Sequence, residues 1–109
     1  MAFWNSTPKR RLDPPPMAHS DARAEEILSV WSSPGGGNQF VIRIEEEDPV
    51  VWGLLLVDAA RHVALAYGVR GVDSRRVLDR IREGFDVEWS HPTDTPVIID
   101  PGTPKGPTN

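Results

Sequence analysis

Polar and apolar positions follow two different periods along this chain. Phe40, Ile42 and Ile44 alternate with Val41, Arg43 and Glu45, the two-residue period of a strand that buries one face. Upstream, Glu26-Ile27-Leu28-Ser29-Val30-Trp31-Ser32 is rich in strand-favouring residues. Between them, Ser33-Pro34-Gly35-Gly36-Gly37-Asn38 supplies residues that adopt positive φ at little cost. The pattern predicts a β-hairpin. The three glycines are read as turn geometry, because a phosphate-cradling loop leads into a helix and this one leads into a strand.

From Pro49 onward the period changes. Asp48-Pro49 is a helix start, a carboxylate at the cap and a proline in the first turn. Over residues 50–67 only Gly53, Asp58, Arg61 and His62 depart from an apolar or tyrosine sequence. The three ionisable groups form a patch at the helix middle, with Val51, Leu54 and Leu65 in the same sector. A helix with no wholly polar face is predicted to be covered on most sides. Gly68 to Gly71 can close it through a left-handed residue. Asp73 then caps a second helix whose apolar positions Val77, Leu78, Ile81, Phe85 and Trp89 form one stripe facing the core. Arginines and carboxylates fill its other face, and Pro92 ends it.

The short link makes the two helices antiparallel neighbours. Gly53, Ala60 and Ala64 form a smooth strip suited to close approach, and Gly84 could serve the second helix in the same way. The expected fold class is α+β: a two-stranded antiparallel β-hairpin followed by an antiparallel helical hairpin, in the order ββαα. One hairpin and one helix cannot cover the first helix completely. Leu54, Leu65 and Val51 need a further neighbour, which a second copy supplies most simply. A homodimer is therefore the expected assembly.

Composition sets the outer limits. At 109 residues the chain is one domain at most. Nine of its 11 prolines fall near the two ends, so residues 1–22 are expected to be a disordered tail and 92–109 an irregular one, with the α+β domain at 23–91. The absence of cysteine removes disulfides, thiolate metal sites and a cysteine nucleophile, and fits a reducing cytoplasm. A net charge of −4 argues against a general nucleic-acid partner. Length alone would let the first helix span a membrane. Asp58 and Arg61 at its centre would each cost about 2.5–3.5 kcal/mol there, so no membrane span is expected.

Candidate chemistry is sparse. Asp58 and His62 share a helical face, and Glu88-Trp89-Ser90-His91 has the Glu-x-x-His spacing of di-metal helical bundles. Those bundles use two such motifs, and one occurs here. Glu88 also lies level with about residue 53, roughly 13 Å along the axis from His62. No metal, cofactor or catalytic residue is expected. Glu88 falls inside the apolar arc of its helix, which leaves two readings: a wet last turn, or an acid near Trp52 that contacts a ligand. A ligand pocket, if present, would take Trp52, His62, Glu88 and Trp89. Phe3-Trp4 and Val97-Ile98-Ile99 in the tails are further candidates for contacts with a partner or a sheet edge.

Two longer stretches carry a resemblance. They are Asp48-Pro49-Val50-Val51-Trp52-Gly53-Leu54-Leu55-Leu56-Val57-Asp58-Ala59-Ala60-Arg61-His62-Val63-Ala64-Leu65-Ala66-Tyr67, and Arg80-Ile81-Arg82-Glu83-Gly84-Phe85-Asp86-Val87-Glu88-Trp89 with Pro92-Thr93-Asp94 after it. Over about residues 26–94 the chain resembles a family of short alphaproteobacterial proteins catalogued as a domain of unknown function. The resemblance implies a bacterial, cytoplasmic protein, and it brings no activity, cofactor or catalytic residues. The function is thus read first as a small, non-enzymatic homodimeric interaction or accessory protein. A small-ligand-binding protein is the second reading, and a metalloprotein or enzyme the third.

Overall fold

The computed structural model describes residues 10–45 and 47–97. Phe3, Trp4, Glu46, Ile98 and Ile99 lie outside the described residues. Five elements follow in order: α1 (Met17–Ser20), β1 (Leu28–Ser33), β2 (Gly37–Ile42), α2 (Val50–Val69) and α3 (Ser74–Ser90). The chain divides into two compact units, one reaching Arg43 and one beginning at Ile44. The first holds α1 and the sheet, and the second holds the helix pair.

In the first unit β1 and β2 form a two-stranded antiparallel sheet. Leu28 stands opposite Ile42 and Val30 opposite Phe40, so the alternation read from the sequence places these four side chains on one face. That face has no buried residue. Val30 and Phe40 remain exposed, where a half-buried strand was expected. Pro34, Gly35 and Gly36 make the turn: the Gly36 N–H donates to the Ser33 carbonyl at 3.1 Å. Gly37 follows at φ 71°, the left-handed residue that a three-residue hairpin loop requires. The ladder stops at Ile42, with one further bond from the Arg43 N–H to the Ile27 carbonyl. On the Trp31 side the preceding segment lies close: the Arg10 guanidinium sits 6.0 Å from the centre of the Trp31 ring.

In the second unit the helix boundaries follow local chemistry. The Asp48 carboxylate accepts the Val50 N–H at 3.0 Å, and the Asp73 carboxylate accepts the Arg75 N–H at 3.0 Å. Gly71, at φ 89°, closes α2, and the Val72 N–H returns to the Tyr67 carbonyl at 3.2 Å. The two helices touch along α2's small-residue strip. Ala64, 3% exposed, is the one buried residue among those described, and Ala60 and Gly68 are half-buried. A Cβ on Gly68 would collide with the Ser74 hydroxyl, so the Ser74 side chain packs over Gly68 at the turn. The far ends differ from expectation: nothing lies within 4 Å of a Cβ built on Gly53 or Gly84. The α3 stripe divides accordingly. Val77, Leu78 and Ile81 are half-buried, while Phe85 and Trp89 stay exposed.

α2 is 20 residues long, with a mean hydropathy of 1.4 over its most apolar window. By length and composition it could cross a membrane, and Asp58 and Arg61 stand at its middle.

Candidate functional site

Two places on the helix pair carry more than packing. The first is the C-terminal end of α3. Phe85 and Trp89 lie one turn apart, and their rings stack with centres 5.5 Å apart and planes 21° from parallel. Glu88, Trp89, Phe85 and Pro92 line an open groove of about 480 Å³. The Glu88 carboxylate is held within the chain. It accepts the Thr93 N–H at 2.7 Å on Oε2 and the Thr93 hydroxyl at 3.0 Å on Oε1. The hydrogen bonds tie the segment after Pro92, the residue that cannot continue the helix, to the last turn of α3. Glu88 is thus an exposed, hydrogen-bonded acceptor at a wet helix end, the first of its two readings.

The second place is the polar patch midway along α2. His62 Nδ1 donates to the Asp58 carbonyl at 2.8 Å and lies 3.5 Å from the Asp58 carboxylate, with both side chains largely in solvent. Among the described residues, no hydrogen bond or ion pair holds the Arg61 side chain.

Of the four residues expected in a ligand pocket, Glu88 and Trp89 line the groove. Trp52 and His62 are not among its lining residues; they sit ten residues apart on α2, about 15 Å along its axis. Sequence reading missed Thr93 as the partner of Glu88 and Pro92 as a wall of the groove, because both depend on the path the chain takes after α3. Phe85 was assigned to the core. Its four-residue spacing from Trp89 was the available signal for the stacked pair. Among the described residues no three His, Asp or Glu side chains gather as a metal site would require.

Fold and site together define a small α+β protein with an exposed aromatic groove and a largely uncovered apolar helix. The chain belongs to DUF5076, a domain of unknown function, whose match runs over residues 11–93. Among solved structures it is similar to a protein of the photosynthetic bacterium Rhodopseudomonas palustrus CGA009, provisionally described as a pyruvate dehydrogenase. The two are 36% identical, with a TM-score of 0.65, over 86% of this chain and 96% of that one. No curated protein matches the chain significantly.

Proposed function

We propose that this chain is a small, non-enzymatic interaction or accessory protein of the bacterial cytoplasm that works as a homodimer. The observation that carries the reading is the state of α2. A helix apolar around nearly its whole circumference buries one residue against its neighbour and leaves Leu54 67% and Leu65 62% exposed. Apolar surface of this extent on one element marks an association face. Light scattering coupled to size exclusion tests the reading: a particle of twice the 12.1 kDa chain mass is expected at micromolar concentration. A monomer there would defeat it.

The stacked Phe85–Trp89 groove favours a second reading, in which a small, flat, uncharged or cationic ligand lies against the aromatic rings. Its one charged lining residue is Glu88, which repels anions. The α-keto acid suggested by the relative's description is therefore a poor fit to this groove. Tryptophan fluorescence against a metabolite panel should respond in wild type and weaken in Glu88→Ala. No response in either protein would remove the reading.

A further inference from the structure

We infer that α2 pairs antiparallel with α2 of a second copy about its midpoint, so that Asp58 of each chain faces the partner's Arg61. This deepens the dimer reading and rests on it. The midpoint of Val50–Val69 falls between Ala59 and Ala60. In an antiparallel pair, residues equidistant from that point meet. Leu54 then faces the partner's Leu65, and Asp58 the partner's Arg61, each contact occurring twice.

Three observations support this seam. Val51, Leu54, Asp58, Arg61 and Leu65 recur at alternating spacings of three and four, the rhythm that keeps one helix stripe against another. The stripe's centre lies about 100° around the helix from Ala64, and its five side chains are exposed rather than covered by α3. The third observation is charge. Asp58 and Arg61 stand one on each side of the midpoint; among the described residues Arg61 has no hydrogen-bond or ion-pair partner, and Asp58 pairs only with His62. Antiparallel pairing sets opposite charges face to face. Parallel pairing in register would set Asp58 against Asp58 and Arg61 against Arg61, which like-charge repulsion disfavours. The other exposed sector, with Leu56, Val63 and Tyr67, has no charge that could select a register.

The test is a charge exchange read by light scattering and native mass spectrometry, with circular dichroism to confirm helix content. Asp58→Arg alone and Arg61→Asp alone should each dimerise at least about a hundredfold more weakly than wild type. Mixed in equal amounts they should form a heterodimer near wild-type affinity, because each then meets the opposite charge twice. Should either single variant misfold, the double variant D58R/R61D serves alone: it should form a homodimer like wild type. Leu56→Asp, outside the seam, should leave the dimer intact.

Single variants as dimeric as wild type, no heterodimer on mixing, or a monomeric double variant would overturn the register while the dimer stands. So would loss of the dimer in Leu56→Asp alone. A monomeric wild type would defeat the dimer itself and this seam with it. So would a wild type that is monomeric in buffer and sediments with phosphatidylglycerol vesicles.

Discussion

α2 and α3 are neighbours of similar length, yet they solve opposite problems. α3 pairs its charges with one another: Arg82 with Asp86 at 3.0 Å, and Arg80 with Glu83. It needs only one neighbour, and Val77, Leu78 and Ile81 find it. α2 offers the smoothest strip of the molecule to that neighbour and keeps most of its large side chains outside the seam. Small residues thus bring the backbones together while the bulky ones are left for something else. Closeness between two helices and coverage of a helix are separate properties, and this pair has the first without the second.

The contrast can be broken most severely at the contact itself. Replacing Ala64 by Phe forces a large ring into the tightest point of the seam and should cost about 1–3 kcal/mol, seen as a lower midpoint in urea denaturation. An unchanged midpoint would show that the helices do not pack there. Next comes the turn that makes them antiparallel. Gly71→Ala places a side chain at φ 89°, and a loss of about 1–2 kcal/mol is expected, whereas the Gly53→Ala control, in mid-helix with open space, should gain up to about 1 kcal/mol. Removing the α3 cap with Asp73→Ala should cost about 1 kcal/mol by the same measurement. The smallest effect belongs to the surface of α3. Arg82→Ala breaks an exposed ion pair and should change stability by less than about 0.5 kcal/mol. A larger loss would mean that α3, too, depends on a neighbour beyond α2.

What could be read ahead of the structure was local. Asp48-Pro49, Gly71 and Asp73 fix the helix ends through backbone chemistry confined to a few residues, and each acts as its residue type dictates. The hairpin turn at Pro34-Gly35-Gly36 was legible for the same reason. The stripe on α3 was legible only in part. Periodicity identifies which residues share a face, but not how far the opposing helix stays close, so Phe85 and Trp89 were assigned to a core that does not reach them. Met17–Ser20 forms a helical turn directly after three prolines, where composition suggested none. Those prolines carry no N–H, and their carbonyls accept: the Ala18 and His19 N–H groups donate to Pro15 and Pro16. The Glu88–Thr93 contact was beyond sequence reasoning, since it depends on the path of the chain after Pro92, which no residue pattern marks.

That tether has a practical side. Because Thr93 is fastened to a side chain five positions earlier, whatever is joined to the chain just past it starts out held near the last turn of α3. A dye attached at residue 95 would thus sample the stacked rings of Phe85 and Trp89, and its quenching could follow occupancy of the groove without any change to the groove itself.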